Sequence, residues 1–253
     1  MNRISAILLF ALASGTARAQ DAFIGVTAGV SRDSYMISSN FTGTEIVVFG
    51  GIEAEGGGVL PNREGWEVAV VVFGPEQDFT VRRKERTGGI WINRSAAKFE
   101  RMPGYYYAAA TAPFDELAAP DVLASRGIGL KGMTKPVKAG AQPFLDAVLR
   151  RKQDQNLYHE RAGGVTFLSS SVFRATIPLP AEVPVGTYTI KVFAFKDKQL
   201  AGGTSVPFAI DKSGLERWTF EFANKHAWAY ASMSILAALI AGFLASWAFR
   251  ERH

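Results

Sequence analysis

The chain has 253 residues, 28 Lys and Arg against 23 Asp and Glu, a formal net charge of +5, and no cysteine. A surplus this small is not the footprint of a nucleic-acid binder, although the pI is near 9.4. Without cysteine there is no disulfide framework, thiolate metal site or cysteine nucleophile, so the hydrophobic core must hold the fold unaided.

Residues 1–19 read as a signal peptide. Arg3 supplies the charge, Ile4 to Ala13 a short apolar run, and Ala17-Arg18-Ala19 a small-x-small cleavage pattern. The run is too short to span, which leaves an uncleaved anchor as the weaker alternative.

Short β-type runs follow at Phe23–Val30, Ser34–Ser38, Thr44–Gly50, Glu67–Phe73, Phe79–Arg86, Ile90–Asn93 and Tyr105–Thr111. Turn residues lie between them, among them Gly74-Pro75. This density of strands predicts an immunoglobulin-like β-sandwich over 20–112. Val70-Val71-Val72-Phe73 is apolar on both faces and reads as a central strand. Arg82-Arg83-Lys84-Glu85-Arg86 reads as an exposed strand end or edge. Gly56-Gly57-Gly58 falls in a loop from Glu53 to Gly65 and lacks the Gly-Lys-Ser/Thr ending of a phosphate loop.

The chain changes character at 113–160, which reads as a helical connector. One helix is predicted over Pro113–Arg126, with Asp115 and Glu116 in its first turn. A second is predicted over Gln142–Tyr158, with Phe144, Leu145, Val148 and Leu149 on one apolar face. Strand signals return at Gly164–Ser170, Phe173–Leu179, Gly186–Lys196 and Leu200–Ile210, predicting a second β-rich domain over 161–213. Residues 214–226 read as a juxtamembrane amphipathic helix with Leu215, Trp218, Thr219 and Phe222 on one side. Trp218, Phe220 and Phe222 also alternate as a strand would.

Ala227 to Phe249 carries no charge. Its 23 positions would make ~35 Å of helix, enough to cross a ~30 Å hydrocarbon core. Trp228 and Tyr230 at one end and Trp247 near the other fit the headgroup level, and Arg250 and Arg252 of the tail 250–253 fit the positive-inside bias. The expected placement is therefore a bacterial inner membrane, crossed once, with the bulk in the periplasm and the C-terminus in the cytoplasm. Along the span Ser234, Ala238, Gly242 and Ser246 recur every four residues, with Ala237, Ala241 and Ala245 beside them. A small-residue stripe admits close approach of another helix, either a second copy or a polytopic inner-membrane protein, within membrane lipid.

Chemistry-bearing groups are sparse. His159, His226 and His253 lie far apart, and neither a His-Glu-x-x-His zinc motif nor a Gly-x-Ser-x-Gly elbow occurs. Ser169-Ser170-Ser171 fits a turn between two strands. No catalytic residue, metal site or cofactor is implied, and the expectation is a non-enzymatic accessory or interaction protein. The alternative is a small-anion binding module. Arg82, Arg83, Lys84 and Arg86 are the candidate contacts to an anion or to lipid headgroups.

Several stretches in combination point to a family. They are Asn-Phe-Thr-Gly-Thr-Glu-Ile-Val-Val-Phe-Gly (40–50), Val-Phe-Gly-Pro (72–75), Val-Arg-Arg-Lys-Glu-Arg (81–86) and Gly-Ile-Trp-Ile-Asn (89–93), closed by one C-terminal span. The chain resembles, over nearly its whole length, a family of alphaproteobacterial transmembrane proteins of unknown function. Members are commonly encoded beside a sulfite-exporter-type permease, so the resemblance implies a polytopic membrane partner. It implies no catalytic residues.

Overall fold

The structure is a computed structural model that describes residues 24–38, 41–54, 58–59, 63–134, 140–212 and 222–250. The predicted leader and most of the predicted juxtamembrane helix lie outside these residues. Phe222–Lys225 are helical.

Two antiparallel-rich sheets form the body. The first joins β1 (Val26–Val30), β3 (Thr44–Ala54), β11 (Val172–Leu179) and β10 (Val165–Phe167) in that order, with the two-residue β4 (Gly58–Val59) on the end of β3. The second runs β2 (Ser34–Ile37), β13 (Gln199–Lys212), β12 (Gly186–Lys196), β5 (Trp66–Phe73), β8 (Tyr106–Ala110) and β9 (Tyr158–Ala162). Two of its pairings are parallel, β2 with β13 and β8 with β9.

The face each residue takes follows from register, because residues directly opposite across a ladder share a face. In the first sheet Ile46 is opposite Ile177, Val48 opposite Ala175, and Gly50 opposite Phe173, all turned inward. In the second sheet Val72 lies between Tyr107 and Ile190, and Val70 between Ala109 and Val192. The two inward faces meet where the Tyr105 hydroxyl donates to the Pro178 carbonyl and the Tyr107 hydroxyl to that of Thr176. Tyr188 packs between Tyr105 and Phe208, and its own hydroxyl donates four residues back to the Pro184 carbonyl.

The outer face of the second sheet is also covered. Tyr106 stacks edgewise between Phe73 and Tyr158 and donates its hydroxyl to the Gly127 carbonyl, beneath α2 (Pro120–Arg126) and α3 (Leu130–Met133). Coverage on both faces explains why Val68 to Val72 and Tyr105 to Ala110 read as unbroken apolar runs. The expected central strand, Val70 to Phe73, does lie between two others.

Three expectations need correction. The stretch 161–213 is not a separate domain. β11 pairs with β3, β12 with β5 and β13 with β2, so both halves of the chain build the same two sheets around one core. The helix expected over Pro113–Arg126 is two, α1 (Phe114–Leu117) and α2. Ala118 and Ala119 between them are extended, as the residue before Pro120 prefers, and the proline opens the next helix. The helix expected over Gln142–Tyr158 ends as α4 at Asp154. Asn156 takes the left-handed region (φ +56°), and Tyr158 starts β9 beside Tyr106. Arg82–Arg86 is an exposed edge, as expected. It lies inside β6 (Glu76–Thr87), which pairs with β7 (Ile90–Pro103) in a two-stranded ribbon. Ser169–Ser171 also forms the expected turn between two strands, with the Leu168 amide donating to the Val172 carbonyl at 2.7 Å.

Candidate functional site: the basic ribbon and the membrane helix

The ribbon continues the β5–β8 ladder past the end of the sheet. Phe73 is opposite Tyr106, the Gly74 amide donates to the Tyr105 carbonyl (2.8 Å), the Gly104 amide donates to the Pro75 carbonyl (2.7 Å), and Glu76 is opposite Pro103. Gly74-Pro75 is thus a passage rather than a turn. Gly74 is required there, since a Cβ would meet Tyr105 at 2.9 Å and Tyr188 at 3.0 Å. Two irregularities shape the ribbon. At the first, Arg101 is left-handed (φ +53°) and its amide is held by the Asp78 carboxylate at 3.1 Å; the second sets Arg94 out of register.

α4 (Gln142–Asp154) braces the near half. Lys152, 8% exposed, sets its Nζ 4.4 Å from the Phe79 ring centroid and donates to the Gly104 carbonyl at 3.3 Å. Desolvation lowers its pKa, and the contacts that its ammonium makes at the ribbon's root are ring faces and a carbonyl. Further out, Arg83 lies over Phe144, and a groove of about 300 Å³ opens between β6 and α4. Arg82, Arg83 and Arg150 line it with Val81, Pro143, Phe144 and Ala147.

The four predicted basic residues divide between the two faces of β6. Arg83 shares a face with Glu85 and bridges it at 2.8 Å, while Ser95 donates to the same carboxylate oxygen. Those bonds lower the Glu85 pKa and keep it anionic. Arg82, Lys84 and Arg86 alternate on the other, exposed face. Sequence reading missed Arg150, which α4 brings to Arg82 and Arg83 from 67 positions away; only its helical spacing from Pro143 and Ala147 hinted at a shared face. The ribbon turns at Gly88 (φ +59°) and Gly89 (φ +88°), a two-residue turn only glycine adopts readily at both positions. Beyond it stand Ile90, Trp91 and Ile92, 65%, 67% and 38% exposed.

α5 (Ala227–Arg250) is the membrane helix. Its stretch Ala227–Trp247 has mean hydropathy 1.8, and none of it is buried against the body. Ser234 donates its hydroxyl to the Tyr230 carbonyl, so this member of the small-residue stripe satisfies its polar group within the helix. Apart from the helix's own backbone, nothing among the described residues lies within 4 Å of where a Gly242 Cβ would sit. Ala237, Ala238, Ala241 and Ala245 are likewise exposed, as is Ser246. His159 sits on β9, exposed, its Nδ1 3.2 Å from the Tyr158 carbonyl.

Residues 25–251 match a family model described as "Putative transmembrane protein (Alph_Pro_TM)". The chain belongs to this family. Family membership and the uncovered apolar helix agree that this chain is membrane-anchored, with a mostly β body and, among the described residues, one C-terminal helix long and apolar enough to cross a membrane. A comparison with curated proteins finds no match.

Proposed function

We propose that this Alph_Pro_TM protein is a non-enzymatic accessory subunit of the bacterial inner membrane. Its β body stands in the periplasm and its C-terminus in the cytoplasm. Its helix packs against a polytopic membrane protein of the permease class or a second copy of itself. The observation that carries this reading is the open stripe on α5, where Ser234, Ala238, Gly242 and Ser246 lie on a helix with no buried residue along Ala227–Trp247. Lipid gives no reason to sort side chains by size, whereas a helix neighbour does. Arg250, the last residue of the helix, and Arg252 in the tail sequence support the orientation. The body supports an interaction role too. Its strand orders, β1-β3-β11-β10 and β2-β13-β12-β5-β8-β9, parallel those of a variable-type immunoglobulin sandwich, and Tyr188 bonding back to Pro184 has the form of a tyrosine corner. Such sandwiches work through surfaces and projecting loops.

The test is crosslinking in native membranes from a photoreactive residue on the stripe, followed by identification of the captured protein. A discrete protein adduct is expected, and it should disappear in the Ala238→Leu/Gly242→Leu double variant while expression and membrane extraction stay unchanged. Lipid adducts only, or an adduct indifferent to the double variant, would remove the accessory reading.

One observation favours a second reading. The groove between β6 and α4 gathers Arg82, Arg83 and Arg150 around a partly apolar floor, which suits a small anion. In that case sulfate or sulfite should raise the thermal midpoint of the full chain in detergent. The gain should vanish in Arg82→Glu/Arg150→Glu.

A further inference from the structure

We infer that the ribbon tip is a second membrane contact, reading an anionic bilayer surface through Ile90, Trp91 and Ile92 with Lys84, Arg86 and Arg94 behind them. Between Arg82 and Ser95 there are five cations and a single acid, Glu85, and that acid is already held by Arg83 and Ser95. Trp91 sits opposite Arg86, on the face that carries Lys84 and Arg82. A large amphipathic ring backed by a net excess of cations is the pairing that suits a headgroup layer over acyl chains. A protein groove would be expected to bury the three apolar side chains without needing this positive collar.

Topology brings the tip to the correct end of the molecule. β13 runs toward Lys212, after which the chain continues to the membrane helix. Ile210 is opposite Gly186, Thr189 is opposite Phe73, and Phe73 is opposite Tyr106. The end of the sheet from which the chain departs for the span is therefore the end from which the ribbon projects. A Gly186 Cβ would touch Pro75, the residue at the ribbon's root, at 3.1 Å. The thirteen steps from Pro75 to Gly88 span ~43 Å at ~3.3 Å each. The fifteen steps from Lys212 to Ala227 allow at most ~50 Å. The ribbon's length is thus comparable with the greatest distance that the connection can put between the body and the helix. α4 along Phe79 to Arg83 stiffens its near half, and among the described residues a Cβ on Gly88 or Gly89 would meet nothing within 4 Å.

Two membrane contacts on one chain fix the tilt of the body over the bilayer. A single helix on a connecting segment leaves that tilt free. The inference rests on the membrane anchoring alone and needs no protein partner.

The absence of native cysteine makes the test direct. Full-length chain carrying Ile90→Cys, labelled with an environment-sensitive fluorophore, is reconstituted alone into nanodiscs of phosphatidylcholine with or without phosphatidylglycerol. Some acyl chains carry a nitroxide quencher. Leu168→Cys, in the β10–β11 turn at the opposite end, is the control. The expected result is a blue shift and loss of emission at position 90 in the anionic discs, with the label at 168 unchanged. Lys84→Glu/Arg86→Glu/Arg94→Glu should restore position 90 to the level of 168. Position 90 remaining as water-exposed as 168 in anionic discs overturns the inference, even if the α5 adduct has been found. Quenching that appears only after a native membrane extract is added overturns it too, in favour of a protein contact. Should the charge-reversed chain fail to fold, the comparison of positions 90 and 168 in the unreversed chain still separates these outcomes.

Discussion

Above pH ~10 the β body should unfold within about one pH unit, because ionisation of its buried tyrosines favours the unfolded chain. Tyr105, Tyr106, Tyr158 and Tyr188 are each pushed well above the ordinary phenol range, with burial as the first cause in every case. Each hydroxyl donates to a backbone carbonyl, of Pro178, Gly127, Pro103 and Pro184 respectively, and a phenolate cannot donate. Below the unfolded-state pKa of ~10 both states are protonated and the stabilisation is complete. Above it the unfolded chain releases protons that the folded one retains, so stability falls by ~1.4 kcal/mol per tyrosine per pH unit. Four such groups would remove ~5–6 kcal/mol by pH ~11, comparable with the whole stability of many domains. Far-ultraviolet circular dichroism and tyrosinate absorbance, followed together on the full chain in detergent, should change in a single shared transition. Tyr188→Phe should make that transition shallower by about one proton. Absorbance rising while the β signal persists would show that the rings ionise in place.

The second large effect belongs to Gly50. Phe173 lies directly opposite it and is fully buried, so its ring fills the space a side chain would need. A Cβ there would sit 2.1 Å from the Phe173 ring and 2.6 Å from the Thr27 carbonyl oxygen. The ring is walled in by the opposite sheet and cannot retreat. Gly50→Val should cost at least ~3 kcal/mol and leave little folded protein. The neighbouring Gly51 is the contrast. Its Cβ would meet only Thr27 Oγ1, at 3.4 Å, and Ser171 O, at 3.9 Å. Gly51→Val should fall within ~1 kcal/mol of the parent, since valine suits a strand. Denaturant midpoints of both variants check the pair; equal losses would mean that strand position rather than the Phe173 contact sets the cost.

Local patterns carried much of this architecture. The bounds of β12, Gly186–Lys196, coincide with the alternating stretch read from sequence, because the period of two and the turn before it agree. Membrane anchoring was legible for the same reason, as twenty-odd uncharged residues admit few other fates. The two-domain division failed because no local pattern records that β11 will lie beside β3, over a hundred positions away. β9 escaped notice since Tyr158-His159-Glu160-Arg161-Ala162 looks like the frayed end of a charged helix, and only the parallel pairing with β8 makes it a strand. At the candidate site, the charged run and the Gly-Ile-Trp-Ile-Asn stretch were both visible. That they are the two arms of one ribbon was not, because Ser95 to Met102 alternates mostly small and charged residues that could equally be a loop.

The pairing of β2 with β13 has a consequence for biogenesis. A chain delivered from its N-terminus, whether by a ribosome or through a translocon, cannot close its second sheet until Lys212 has emerged. The early strands must wait with their apolar faces unsatisfied while the connecting helices pass. Folding should therefore be late and all at once, completed only as the membrane helix follows. Until then the nascent body is a natural client for a chaperone that shields β-strand edges.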